Sequence, residues 1–514
     1  MTITTFGAIT IGTYSVTLEI FEISRKTGVR SIDKIRHRME LAKDAYRQHI
    51  IGQDLVEELC STLKGFQEIM AGYRVDAWRT VATSSLREAE NSLLILGRIR
   101  QETGLEVEIL SNSEHRFLTC KAVASLESRF SKMIAKGTAV VDVDGGSIQI
   151  SLFDKGVLET TQNIMLGNLR VRERLQPVAS ATLHYERLVE ELLSHELACF
   201  RKLYLKDLKV ENVILCGDFL GELIFRHSED RESRMLDRKE LDQWFRRILG
   251  RSSAELSVDM EMSTEYASLI HPSAIIYRQL IRDMDPTTVW FPGTHLARGV
   301  AYDYAEKKKL LKAPHDFEED IISAARNIGR RYSVSKKHIS NVDLIATTIF
   351  DALKKVHGRG NRERLLLRVA VMLHDVGEYV SLNHVAENSY MIIMNTEIIG
   401  LSHVEREMVA LIVRYNRSRV PSYQELARET MITRKQYLIV CQLASLLRMG
   451  NALDRSHTEK IESIKARLKE EKLIINLNVR DDYSLEEGLL PEKQELFDEV
   501  FGIKTVCRVK REVV

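Results

Sequence analysis

The chain has 514 residues, too long for one hydrophobic core, and its size predicts three or four domains. A hydrophobic fraction of 44% and a charged fraction of 29% are those of an ordinary water-soluble protein, and a formal net charge of +1 excludes a global basic field for nucleic acid. No apolar run approaches the ~20 residues of a membrane span. The N-terminus, MTITTFGAITIG, has no basic leader and begins as a strand, so a cytoplasmic protein is expected. Cys60, Cys120, Cys199, Cys216, Cys441 and Cys507 are scattered and read as free thiols, neither a zinc site nor a disulfide framework.

Residues 4–22 read as a strand, a turn at Gly12 and a second strand. Helices are expected over about 47–71, then a strand at Ala77–Ala82. TSSLREAEN (83–91) puts Ser84 at a helix start with Arg87 one turn in. Hydroxyls and an arginine at a helix N-terminus suit an anion; plain serine capping accounts for the same pattern. After a strand at Glu106–Leu110, Glu114 sits near a strand-to-helix junction. There its carboxylate could reach a water in a cleft, or could simply favour a first helical turn.

AVVDVDGGSIQISLF (139–153) organises the rest. Ala139–Val143 reads as a buried strand, Asp144-Gly145-Gly146-Ser147 as a tight turn, and 148–152 as an alternating strand. Glycines in such a turn let the backbone approach a phosphate, and Asp142 at the strand end can hold a divalent cation or orient a water. An ordinary hairpin with a turn aspartate is the competing reading. The likeness to 4–22 suggests a duplicated unit. QNIMLGNLRVRERL (162–175) gives a strand, Gly167 and a basic helix start. VENVILCGDF (210–219) is a buried strand, 238–285 is mainly helical, and 287–307 is a strand, a Pro-Gly turn and a helix. This alternation over 1–308 predicts an α/β fold in two related halves.

Residues 308–316 read as a charged linker, and 317 to about 455 as almost wholly helical. In the tail, ARLKEEKLIINLNVRD reads as a strand, EKQELFDEVFG as a helix and IKTVCRVKREV as a final strand: a small α+β module.

The ordered set GTYS, RMELA, TSSLREAEN, ILSNSE, VVDVDGGS, LGNLR, GTHLARG and LHDVGEY resembles the exopolyphosphatase / guanosine pentaphosphate phosphatase (Ppx/GppA) family over nearly the whole chain. The resemblance implies two actin-like (ribonuclease H-like) α/β domains at 1–128 and 129–308. It further implies an all-α HD-type domain at 309–455 and a small α+β domain at 456–514. The implied activity is Mg²⁺-assisted release of terminal orthophosphate from inorganic polyphosphate or guanosine pentaphosphate. The implied partners are polyphosphate or guanosine penta- or tetraphosphate and a second copy of the chain, with no nucleic acid and no membrane. RRILGR (246–251) and GRRYSVSKK (329–337) are candidate polyanion contacts, although such runs are commonly solvated faces.

By that resemblance, Glu114 falls on the glutamate that activates the attacking water, and Asp142 on a metal ligand with Asp144 beside it. Gly145, Gly146 and Ser147 fall on the phosphate-cradling turn, and Gly12, Thr13 and Ser15 on the first phosphate turn. Arg38, Ser84, Arg87 and Arg170 fall on further phosphate-site positions. In the helical domain His338, His374 and Asp375, with Asn451 at the late position and Asp454 one turn on, imply a partial site for a second divalent metal. A purely structural role is the competing reading there.

The departures bear on chemistry. Thr10 stands for an aspartate, Tyr14 for an asparagine, Asp144 for a glycine, Gln149 for a glutamate and Asp218 for a threonine. Thr10 and Gln149 remove acids from the metal site, and Tyr14 adds bulk. A like charge about 4 Å from a phosphate costs roughly 4 kcal/mol at an effective dielectric of about 20, so Asp144 and Asp218 must turn away or bind metal. Three functions stay open: a hydrolase with relocated ligands, a catalytically degraded relative binding polyphosphate or a guanosine alarmone as a regulator, and an HD-domain phosphohydrolase.

Overall fold

Alternating β-branched residues carry β1 (Thr4–Ile11) to a turn at Gly12 and back along β2 (Ser15–Ser24), the antiparallel pair expected. The computed structural model describes residues 3–126, 128–179, 184–205, 208–217, 234–259, 262–313 and 315–511. Asp218 lies outside the described residues. Two compact units divide the chain, Met1–Asp316 and Phe317–Val514.

In the first unit, β3 (Gly28–Arg38) extends the opening hairpin, and β4 (Ala77–Ala82) and β5 (Val107–Ile109) follow in parallel with β1, giving the order β3-β2-β1-β4-β5. The second sheet has β6 (Thr138–Val143), β7 (Ile148–Asp154), β8 (Val157–Ile164), β9 (Asn212–Cys216), β10 (Met235–Leu236) and β11 (Thr288–Trp290). Its order from one edge is β8-β7-β6-β9-β11-β10. Strand for strand this repeats the first sheet, with β10 added, so the duplication seen in the two glycine-turn hairpins is a duplication of topology. These are actin-like α/β domains.

Each sheet has its own core. On β2, Val16, Leu18 and Ile20 pack with Leu59 and Leu63 of the helix Gln53–Gly72. On the second sheet Val141, Ile150 and Val213 pack with Ile276 and Leu280 of the helix Thr264–Met284. Because side chains alternate along a strand, Ser15, Thr17 and Glu19 of β2 face away from that core. The sequence reading assigned nothing to 28–38, where Arg30, Asp33, Lys34, Arg36 and Arg38 are the charges of an edge strand, β3. The helices expected over about 47–71 are Leu41–Gln48, which starts earlier than expected, and Gln53–Gly72, with Gly52 between them.

The second unit is helical from Phe317 to Leu453 apart from short connections, and ends in β12 (Ile461–Lys469), β13 (Lys472–Val479), the helix Ser484–Phe501 and β14 (Lys504–Arg511). The stretch read as one strand is therefore a hairpin. Its turn is Glu470-Glu471, both at positive φ, where Asn-Gly is the usual signal. Among the described residues no helix is long and apolar enough to cross a membrane.

Candidate active site

The polar face of β2 forms one wall of a cavity of about 80 Å³ in the first unit. Thr10 and Gly12 join Ser15, Thr17 and Glu19 on that wall, and Lys34 and Arg36 of β3 flank them. Thr83 precedes the Ser84–Glu88 helix. Asp142, Asp144, Cys216 and Gly217 enter from the second sheet, and Thr294 and His295 from the start of the helix Leu296–Lys307. Cavities this small hold a few waters or one small anion.

The helix Asn112–Ala124 contributes His115 and Thr119, four residues apart on one face. Thr119 Oγ1 donates to Asp142 Oδ2 at 3.1 Å. His115 lies between two carboxylates, with Nε2 at 3.8 Å from Asp142 and Nδ1 at 3.8 Å from Asp144, and it is 4% exposed. Gln149 Nε2 sits 3.0 Å from His115 Nδ1, while Gln149 Oε1 is buried with no hydrogen-bond partner. Turning that amide end for end would let its oxygen accept from Nδ1–H and leave Nε2 as an acceptor. Burial and then the charge of Asp142 push the Cys216 thiol up, so this cysteine stays protonated and is no nucleophile.

Of the residues proposed from the sequence, Gly12, Ser15, Asp142 and Asp144 line the cavity. Glu114 is placed in a capping box: Ser111 N–H donates to Glu114 Oε2 at 2.9 Å, and Glu114 N–H to Ser111 Oγ at 3.2 Å. The neighbouring position, His115, is the one inside. Gly145 and Gly146 lie against the first half of the unit, where a Cβ would meet Thr13 at Gly145, and Tyr46 and Ser84 at Gly146. Ser147 accepts from Asp144 N–H through its carbonyl at 2.9 Å. Ser84 Oγ is 2.9 Å from Tyr46 Oη. Arg170 lies over the Tyr46 ring, donating to Gly146 O at 2.9 Å and Glu88 at 2.5 Å. Arg87 donates to Leu110 O and Asn112, and Arg38 is exposed over the Tyr266 ring. These arginines thus tie chain to chain, and the cations lining the cavity are Lys34 and Arg36, which the sequence reading did not single out. Tyr14, expected to crowd a phosphate, is packed with Ala42, Leu169, Tyr266 and Leu269.

The second unit holds a separate cluster. His338 Nε2 and His374 Nε2 are 3.2 Å apart, and Asp375 Oδ2 is 3.2 Å from His374 and 3.7 Å from His338. The far nitrogens are both engaged: His338 Nδ1 with Asp454 at 2.6 Å, His374 Nδ1 with Val371 O at 2.8 Å. With those protons on Nδ1, two Nε2 lone pairs face each other. Ligands about 2.1 Å from one ion stand roughly 3.0–3.4 Å apart, so this triangle has the dimensions of a metal site. Burial holds His374 below the usual histidine range; Asp375 is held low by His374 and Arg417 against the opposing effect of burial. Asn451 keeps a buried Oδ1 with no hydrogen-bond partner, and Asp454 acts through His338.

Residues 20–308 match the Ppx/GppA phosphatase family, and residues 322–499 match domain III of Ppx/GppA phosphatases. The Aquifex aeolicus Ppx/GppA family member superposes with a TM-score of 0.50 at 21% identity, covering 60% of this chain and 99% of its own. An exopolyphosphatase from Cytophaga hutchinsonii gives 0.52 at 16%, covering 60% and 100%. At these identities the solved structures establish a shared fold. The match over 20–308 spans more than half of the sequence, and the chain belongs to the Ppx/GppA phosphatase family.

Proposed function

We propose that the chain releases terminal orthophosphate from inorganic polyphosphate, with guanosine pentaphosphate the alternative substrate, by Mg²⁺-assisted attack of water in the cavity of the first unit. The observation that carries this reading is the convergence of the Gly12 turn, Thr83, His115, Asp142 and Asp144 on one small cavity. Its size suits a terminal phosphate, and Lys34 and Arg36 flank the wall that the rest of a polyanion would follow.

Asp142 and Asp144 with the hydroxyls of Ser15, Thr83 and Thr119 are hard oxygen donors of the kind Mg²⁺ prefers. When bound, the ion neutralises charge developing on the transferred phosphoryl group. Thr119 fixes the Asp142 carboxylate. His115 orients the attacking water and takes its proton at Nε2. Glu114 keeps its place at the helix start and so holds His115 in register. In our reading the protein is a cytoplasmic homodimer.

Orthophosphate release from long-chain polyphosphate with Mg²⁺ tests this. His115→Ala is expected to lose at least about 10²-fold in kcat, the usual scale for a general base. Glu114→Ala is expected to lose less, through helix capping. The reverse order would return the water-activating role to Glu114. Saturable binding of polyphosphate or guanosine tetraphosphate without release would make the protein a ligand-binding regulator.

A second reading rests on the His338–His374–Asp375 triangle: an HD-type metal site in domain III hydrolysing a nucleotide or small phosphate ester. Phosphate release abolished by His374→Ala but kept in His115→Ala would assign hydrolysis there.

A further inference from the structure

Glu19 is 6% exposed, lines the cavity, and has a buried Oε2 with no hydrogen-bond partner. A carboxylate in that state is strongly disfavoured unless something of opposite charge meets it. The protein's own cations nearby do not do so by direct contact. Lys34 is its cross-strand partner on β3, and Arg36 is two residues further along the same strand. Arg298, from the helix Leu296–Lys307, feels the charge of Glu19, but its Nε donates to Ser125 Oγ at 2.7 Å. Thr294 Oγ1, 6% exposed and lining the same cavity, is likewise buried without a partner. Two unpartnered oxygens thus face a space that Asp142 and Asp144 also face.

We infer that Glu19 is a ligand of a divalent cation in this cavity, with Thr294 Oγ1 as a neutral donor beside it. The inference rests on the reading of the cavity as a cation and phosphate site. The carboxylate arrives on β2, in line with Ser15 and Thr17, and not at either glycine turn. Asp142 and Asp144 line the same cavity, and oxygen donors of this kind select Mg²⁺ or Mn²⁺ over zinc.

The test is Mg²⁺ titration of the full chain by calorimetry, with melting temperatures in Mg²⁺ and in chelator, for wild type, Glu19→Gln and Asp142→Asn. Glu19→Gln is isosteric and is expected to weaken Mg²⁺ binding at least tenfold. It should melt at or above wild type in chelator, because an unpartnered buried charge has been removed, and should lose most of the Mg²⁺-induced rise. If Glu19 only balances Lys34, Arg36 and Arg298, the variant will melt below wild type in chelator and keep its Mg²⁺ affinity, which overturns the inference. Binding lost in Asp142→Asn but kept in Glu19→Gln overturns the role of Glu19 and leaves the cavity as a cation site. Binding kept in both variants, or absent from wild type, overturns the cavity reading along with it.

Discussion

His357 is held in one neutral form by two backbone contacts. Its Nε2–H donates to Phe350 O at 2.9 Å, and its Nδ1 accepts from Arg359 N–H at 2.9 Å. Burial pushes its pKa below the usual histidine range, against the opposing pull of the Phe350 carbonyl. A second proton would have to enter at Nδ1 and break the bond from Arg359. An unfolded histidine takes up that proton near pH 6.5, so the unfolded state binds more protons just below it. The stabilisation is complete above that pH and is lost as pH falls through the lowered folded value. Calorimetric melting at pH 7 and pH 5 should therefore show a smaller drop for His357→Gln than for wild type. Equal drops would mean that His357 titrates normally in the fold. The same kind of local contact explains what the sequence could and could not convey about the candidate active site. Asp142 was singled out as a strand-end aspartate before a glycine turn, a pattern an ordinary hairpin shares, and the structure places it on the cavity wall. Glu114 drew attention as a carboxylate, yet its three-residue spacing from Ser111 is that of a capping box. The signal for His115 was its spacing of four from Thr119, which carries meaning only once the helix face is known. Glu19 gave no signal at all, since only the finished strand shows it on the same face as Ser15 and Thr17 at the cavity wall.

Helix-on-helix approach fixes the wall that His115 and Thr119 occupy. Gly299, on the helix Leu296–Lys307, lies so close to the helix Asn112–Ala124 that a Cβ there would overlap the Leu118 carbonyl oxygen. A backbone oxygen cannot rotate aside, so any side chain must push the helices apart. Beside this contact, buried Lys121 donates to Asp303 at 2.8 Å and to Glu306, while Arg79 and Lys307 also reach Asp303. Lys121 and Lys307 hold the Asp303 carboxyl below its usual range although burial works the other way. Separating the helices would strain this network too. Gly299→Ala is expected to cost about 1–3 kcal/mol, the usual range for overpacking, and to lower the melting temperature by several degrees. Melting within half a degree of wild type would show that the pair tolerates separation. The sequence predicted this helix, but a glycine inside it says nothing about which backbone it meets. Likewise β3 went unassigned because a charged edge strand resembles a surface loop, and the Glu470-Glu471 turn was read through as strand because glutamates carry no turn signal.

Across the whole molecule the two units carry centres of different chemistry, and that difference can be measured without knowing any substrate. The first unit repeats one sheet topology twice, and its cavity gathers oxygen donors. The second unit presents two imidazole nitrogens and one carboxylate, each already oriented by Asp454, Val371 O or Arg417. Imidazole favours Zn²⁺ and the later transition metals, whereas Mg²⁺ and Mn²⁺ favour the oxygen set. The full chain, loaded with Zn²⁺ and desalted, is therefore expected to retain about one equivalent by elemental analysis. His374→Ala should lose that equivalent, because the remaining His338 and Asp375 cannot close a three-ligand face. Asp142→Asn should keep it, since Asp142 lies outside this cluster. The sequence brought His338, His374 and Asp375 together only through resemblance; the structure adds the short Nε2–Nε2 spacing that a shared ion would need. No retained metal in wild type would make the His338–His374 contact a structural pair sharing one proton. In that case His374→Ala, which removes a buried ring and leaves His338 facing Asp375 alone, should change melting temperature and nothing else.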